Sequence, residues 1–293
     1  MSVTASPLRY PGGKSCLLHL VASILRKNNI RFGAYAEPYA GGCGLALDLL
    51  FKSYVSEIHI NDIDPSIWAF WSSILDDTES LIDLINSTPV TLDQWHRQKE
   101  VQRQPQEASK LELGFAAFFL NRTNRSGIIK GAGVIGGLNQ TGNYKIDCRF
   151  NKEGLIKRIR RIAKYRSQIT LHNLDAISFM SPSTGVVPDD AFLCIDPPYF
   201  KKGSSLYTSF YGPDDHAGVA AAVLKLSQPW IVTYDNAPEV RELYKSRRQF
   251  NFDINYSVQT KRLGTELLIA SKGLRIPEAV RERQTHKPQY RAA

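Results

Sequence analysis

The run Leu193-Cys194-Ile195-Asp196-Pro197-Pro198-Tyr199-Phe200 constrains this chain more than any other stretch. Its apolar half reads as a buried strand, and Pro197-Pro198 makes that strand stop, because proline cannot donate to a sheet ladder. The strand's carboxyl end is the edge at which open α/β sheets place ligands. There Asp196 offers a carboxylate, the residue before a proline is held extended, and the Pro197 carbonyl is a second acceptor. Two acceptors beside the Tyr199 ring suit an amino group on a planar ring. The same residues also suit an ordinary strand-to-turn boundary, since Asp and Pro are common turn formers. The rest of the chain decides between the two.

Gly33 to Gly44 reads Gly-Ala-Tyr-Ala-Glu-Pro-Tyr-Ala-Gly-Gly-Cys-Gly, and an amphipathic run through Leu45, Leu47, Leu49, Leu50 and Phe51 follows it. This is strand, glycine turn and helix, the opening of a Rossmann-like unit whose small residues let a ligand approach the backbone. The dinucleotide fingerprint G-x-G-x-x-G fails, since Leu47 stands at its third glycine. Val55 to Ile60 reads as a second strand, closed by Asn61-Asp62-Ile63-Asp64-Pro65. An acid there, about 20 residues past the glycines, is placed to accept from ribose hydroxyls. A ribose acid without the pyrophosphate fingerprint points to a nucleoside-like ligand rather than NAD. Earlier, Gly13-Lys14-Ser15 has the look of a P-loop, but Leu8 stands where that motif needs its first glycine. What survives is a glycine loop opening onto a helix, where Lys14 and backbone amides either meet an anion or simply cap the helix.

From Ser66 to Ala117 the pattern turns helical: Trp68, Phe70 and Trp71, then Leu81 to Ile85, then Leu111 to Leu120, with a polar stretch from Gln94 to Lys110 between them. The aromatics read as helix core. Asn121 to Gly127, the glycine-laden Gly131 to Gly142, and Tyr144 to Phe150 hold too little apolar surface to pack. They predict an exposed loop or ribbon, suited to lie against nucleic acid or to be a surface loop. Alternation then resumes, with a basic helix from Leu155 to Tyr165, a strand from Ile169 to Asn173 ending at Asp175, and the strand that meets Asp196. A helix from Ala217 to Leu226, a strand from Trp230 to Tyr234, a helix from Glu239 to Lys245 and two late strands near Phe250 to Tyr256 and Leu267 to Ala270 complete it. The tail from Lys272 to Ala293 is charged and is expected to be partly disordered. The predicted organisation is a discontinuous α/β domain of residues 1–65 and 151–272, a mainly helical insertion of residues 66–150, and a basic tail of residues 273–293.

The balance of 37 Lys and Arg against 28 Asp and Glu gives a net charge of +9, a field that favours a polyanion. No apolar run approaches the roughly 18 residues of a spanning helix. The N-terminus has too short an apolar region for a signal peptide. The expectation is a cytoplasmic protein with no membrane partner. Cys16, Cys43, Cys148 and Cys194 are scattered and form no metal-type pair, so neither a metal nor a disulfide framework is expected.

In order, Arg9-Tyr10-Pro11-Gly12-Gly13-Lys14, Glu37-Pro38-Tyr39-Ala40-Gly41-Gly42, Asn61-Asp62-Ile63, Asn121-Arg122-Thr123 and Asp196-Pro197-Pro198-Tyr199 resemble the successive motifs of the Dam-type DNA N6-adenine methyltransferases, the alpha group of amino-methyltransferases. The resemblance spans Pro7 to Ser271. It implies a Rossmann-like S-adenosylmethionine-dependent sheet with an inserted target-recognition domain, acting on the exocyclic amine of an adenine flipped from double-stranded DNA. The cofactor-binding residues it implies are Tyr10, Lys14, Glu37, Tyr39, Gly41, Asp62, Asp175 and Asp196. Catalysis would fall to Asp196, Pro197, Pro198 and Tyr199, with Asp196 and the Pro197 carbonyl accepting the amine protons and Tyr199 stacking on the base. DNA contacts would come from Arg122, Asn124, Arg125 and Lys130.

Two departures stand out. The family pattern F-x-G-x-G has its second glycine where Cys43 stands, which suggests a slightly shifted turn. Enzymes that read GATC carry Asn and Arg where Ser126 and Lys130 align. The implied setting is a restriction-modification or defence system, with a cognate endonuclease or other defence proteins as partners, or an orphan or phage methylase. The rival readings are an N4-cytosine or RNA adenine methyltransferase and a non-catalytic DNA-binding subunit.

Overall fold

Strands buried on both faces read as continuous apolar runs and need helices on both sides. The computed structural model, which describes residues 4–9, 14–200, 211–256 and 262–288, shows that arrangement. Tyr10, with Pro11 to Gly13, lies outside the described residues, as do residues 201–210 of the polar loop and residues 289–293 of the tail. Five strands run parallel: β1 (Ala34–Glu37), β2 (Glu57–Asn61), β3 (Ile169–His172), β4 (Phe192–Ile195) and β5 (Trp230–Asp235). The strand β7 (Arg262–Ala270) enters antiparallel beside β5, and β6 (Arg248–Tyr256) and β8 (Gln284–His286) follow it. The order across the sheet is β3-β2-β1-β4-β5-β7-β6-β8. It reverses between β1 and β4, which makes the carboxyl ends of those two strands the switch point where such sheets hold ligands.

One face packs against α1 (Leu18–Lys27), α2 (Gly44–Phe51), α3 (Pro65–Asp76), α4 (Thr78–Ser87), α5 (Leu92–Arg103), α6 (Lys110–Thr123) and α7 (Lys152–Ala163) through one continuous apolar cluster. The other face packs against α8 (Ala176–Met180), α9 (Pro213–Lys225) and α10 (Pro238–Leu243). Pleating sorts the residues: Tyr35, Cys194, Ile231 and Leu268 face the first cluster, while Ala36, Leu193, Val232 and Leu267 face the second. Between β2 and β3 in sequence, α3 starts at the Asp64 cap with Pro65 in its first turn, and α6 starts at a Ser109/Glu112 capping box. The helices α3 and α6 cross closely because Gly114 has no side chain: a Cβ there would sit 2.6 Å from the Ala69 carbonyl oxygen.

Two segments differ from the sequence reading. The polar stretch from Gln94 to Lys110 contains most of α5, capped by Thr91 and anchored by the buried Trp95 and Gln102. So charged a helix shows no apolar period; its hold is polar, through Gln102 Oε1 accepting from Ser66 Oγ at 2.8 Å. The described part of the tail, residues 272–288, carries structure that its charge did not suggest: Leu274 and Ile276 are buried, a short α11 (Glu278–Arg281) forms, and β8 pairs with the β6 edge. The glycine-laden segment is the exposed loop the sequence suggests, built around one side chain. Gln140 donates to the Ile135 and Gly137 carbonyls and accepts from the Ile146 amide, while Val134 is buried and bridges Asn124.

Candidate active site

Four neighbouring strands each deliver one polar side chain to the same face at this edge. Glu37 ends β1, Asp196 follows β4, Thr233 lies on β5 and Glu266 on β7, each two residues from a side chain of the first core cluster. Because β7 runs antiparallel, its early residue Glu266 pairs with Asp235 at the end of β5 and so reaches the edge that the parallel strands reach last.

The Asp196 carboxylate is held by one oxygen. Its Oδ1 accepts from Thr233 Oγ1 at 2.7 Å and ion-pairs with Lys14 Nζ at 3.2 Å. Among the described residues Oδ2 accepts no hydrogen bond, and the side chain is 22 % exposed. Lys14 opens a short 3-10 turn, Lys14–Leu17, and lies between two carboxylates, 3.1 Å from Glu266 Oε2. Burial works against its charge, but Asp196 and Glu266 outweigh it and hold the ammonium above its ordinary range. Burial pushes the Asp196 carboxyl up; Lys14 pulls it back and Glu266 pushes with burial, leaving it raised. Glu37, beside them, is raised to about 8 by burial despite accepting from the Tyr35 hydroxyl at 2.8 Å.

Tyr199 does not stand open in this structure. Its ring is 5 % exposed, its hydroxyl donates to Glu266 Oε1, and Lys14 Nζ lies 5.4 Å from the ring centroid. Glu266 and Thr233 escaped the sequence reading. Glu266 stands just before the apolar run Leu267–Ala270 and Thr233 just after Trp230-Ile231-Val232, and that was the signal available.

A second group of acceptors lies on the other side of the switch point. Asp62 Oδ2 accepts from the Gly41 amide at 2.8 Å, its Oδ1 accepts from the Asp64 amide, and burial raises its carboxyl to about 6 against those two bonds. Cys43 stands at the glycine position of the pattern. Cys43 itself takes the left-handed conformation, with φ of 52°. The buried Asn61 joins the loops after β1, β2 and β3, donating to the Pro38 and Leu174 carbonyls and accepting from the Leu174 amide. Asp175 caps α8 through Oδ1. Beside these acids the apolar Ile63 and Ile177 are 50 % and 39 % exposed. The Tyr39 hydroxyl lies 3.3 Å from that of Tyr211, and the Gly41 carbonyl accepts from Trp71 Nε1 on α3.

The description "D12 class N6 adenine-specific DNA methyltransferase" matches residues 10–262. The chain belongs to this family. It is 24 % identical over 241 residues to the Type II methyltransferase M.MjaIII of Methanocaldococcus jannaschii, covering 75 % of this chain and 80 % of that protein. Among solved structures, protein LPL1258 of Legionella pneumophila aligns over 39 % of this chain and 43 % of its own at 12 % identity, with a TM-score of 0.25, too low to bear on the fold.

In this D12-class methyltransferase the four residues expected at DNA are not alike. Asn124 is fully buried: its Oδ1 accepts from Trp95 Nε1 and its Nδ2 donates to the Ile128 and Ile129 carbonyls. In this structure its side chain shapes the loop from within. Lys130 ion-pairs with Asp64 at 3.5 Å, and Arg125 is exposed. Arg122 is half-buried, donating to the Arg149 carbonyl at 2.7 Å and to the Pro7 carbonyl, while Arg158 donates to the Ser6 carbonyl. Burial and then the charges of Arg9, Arg158 and Arg149 lower Arg122 to about 9. None of these four arginines ion-pairs with a carboxylate among the described residues, and Arg9 Nη1 is buried without a partner there. Four guanidinium groups without a counter-charge suit an incoming phosphate.

Proposed function

We propose that this adenine methyltransferase takes its methyl group from S-adenosylmethionine and delivers it to the N6 amine of an adenine flipped out of duplex DNA. The divided Asp196 carboxylate carries the reading: Oδ1 is fixed by Thr233 and Lys14, and Oδ2 is left, with the Pro197 carbonyl, at the edge of the sheet. Two fixed acceptors take the two protons of an aromatic amine, turn its lone pair out of the ring's conjugation, and stabilise the positive charge that develops on nitrogen. Tyr199 supplies a wall for the base, opening one ring face on binding.

The residues at the switch point suit the cofactor. Asp62 offers a carboxylate to ribose hydroxyls, and the exposed Ile63 and Ile177 offer apolar walls to a purine beside Asp175. When bound, S-adenosylmethionine supplies a methyl group activated by its sulfonium. Residues 66–150 serve in this reading as the recognition insertion, tied to the site through Trp71 and Gly41. The four-arginine cluster takes backbone phosphates, and Arg125 and Lys130 face the duplex. The name of the Methanocaldococcus relative favours a type II restriction-modification setting with a cognate endonuclease.

The test is incubation of the full chain with methyl-labelled S-adenosylmethionine and unmethylated duplex DNA, followed by digestion to nucleosides. Label in N6-methyl-2′-deoxyadenosine supports the reading. Label in N4-methyl-2′-deoxycytidine, or transfer to RNA in preference to duplex DNA, replaces it.

A further inference from the structure

Lys14 is drawn to two carboxylates at once. Glu266 is 1 % exposed and holds Lys14 Nζ through both oxygens, at 3.1 Å from Oε2 and 3.4 Å from Oε1, while Oε1 also accepts from the Tyr199 hydroxyl. Lys14 comes nearest to Asp196 at Oδ1, the oxygen already bonded to Thr233. A lysine with Asp196 as its sole partner would be free to bridge both of that carboxylate's oxygens, since an ammonium is a compact donor without a fixed direction. The acceptor meant for the amine would then be covered.

We propose that Glu266 is a positioning residue for methyl transfer: it anchors the Lys14 ammonium and the Tyr199 hydroxyl, so that Lys14 charges only one oxygen of Asp196 and Tyr199 is set as the wall of the base site. This inference rests on the reading of Asp196 given above. Glu266 acts from β7, the antiparallel strand, and touches neither base nor cofactor in this role. It acts only through Lys14 and Tyr199.

The experiment is single-turnover methylation by the full chain, using duplex DNA from a methylation-free host and methyl-labelled S-adenosylmethionine, with active sites counted from the first turnover. Glu266→Gln keeps an acceptor for Tyr199 but removes the charge that restrains Lys14. The expected result is a rate per active site lower by about tenfold or more, the scale of one misplaced acceptor. S-adenosylmethionine Kd should stay within about twofold, because the contact Glu266 preserves, Asp196 Oδ2 to the amine, is made with the base and not with the cofactor. A merely structural glutamate would lower the thermal midpoint and the count of active sites and leave the rate per site unchanged. That result, or a loss explained by cofactor affinity alone, overturns the proposal. Should Glu266→Gln not fold, Tyr199→Phe cuts the same tether from the other end and should slow the step by roughly threefold or more; a wild-type rate there overturns the proposal equally. If the wild-type chain transfers no methyl group to DNA, the reading of Asp196 has failed and this inference falls with it.

Discussion

The Thr233 hydroxyl on β5 donates to Asp196 Oδ1 at the end of β4, 2.7 Å across the strand gap, and this bond aims the carboxylate. Thr233→Val keeps the branched shape and the packing but deletes the donor. Loss of one charge-assisted hydrogen bond costs about 1.5–3 kcal/mol. The single-turnover rate should therefore fall by roughly tenfold to a hundredfold, with DNA affinity unchanged. A rate equal to wild type would show that Lys14 alone orients Asp196.

Glu37 predicts a pH signature in stability. Its carboxyl, ordinarily near 4.5, is raised to about 8 by burial, so the folded state holds its proton more tightly than the unfolded chain. That stability is complete below about pH 4.5 and is lost as pH rises through about 8. Glu37→Gln, isosteric with the protonated acid, should flatten the dependence of the denaturation midpoint over that window. A parallel slope in variant and wild type would refute the assignment.

Asp62 predicts a pH signature in cofactor binding. The ionised carboxylate is the form that accepts ribose hydroxyls, and the group titrates at about 6. S-adenosylmethionine should bind more tightly as pH rises through about 6, and Asp62→Asn should remove that dependence. At neutral pH the variant should lose about 1–3 kcal/mol of binding energy in calorimetry. Unchanged affinity would move the ribose contact to another acid.

The arginine cluster predicts opposite effects with and without DNA. Arg149 is exposed and raises the positive potential on Arg122 and Arg9. Arg149→Gln should lower the slope of log affinity against log salt by about one, the mark of a lost phosphate contact. In the free protein at low salt it should leave the thermal midpoint equal or higher, because repulsion is relieved. A lower midpoint together with an unchanged salt slope would mark Arg149 as a packing residue.

Much of the fold can be read from the chain because parallel strands announce themselves twice, by an apolar run and by the polar turn that ends it. Asn61-Asp62, Asp175 and Asp196 are such endings, and all lie at the carboxyl edge of the sheet. What local sequence cannot show is a partner far along the chain. Glu266 meets Lys14 across 252 positions, and nothing near Glu266 but its charge beside an apolar run marks it out. Cys43 is illegible for another reason: its side chain gives no hint of a left-handed backbone, which costs roughly 1–2 kcal/mol outside glycine. Asn124 is illegible in a third way: its side chain bonds Trp95 and a carbonyl of the loop it holds, and local sequence shows neither partner.

The central claim is tested most directly by mapping modified bases, by single-molecule sequencing, in DNA from a methylation-free host expressing either this chain or its Asp196→Ala variant. The account predicts N6-methyladenine in one recurring sequence context with the wild-type chain and none with the variant. N6-methyladenine at wild-type levels with Asp196→Ala, or modification confined to cytosine, would contradict it.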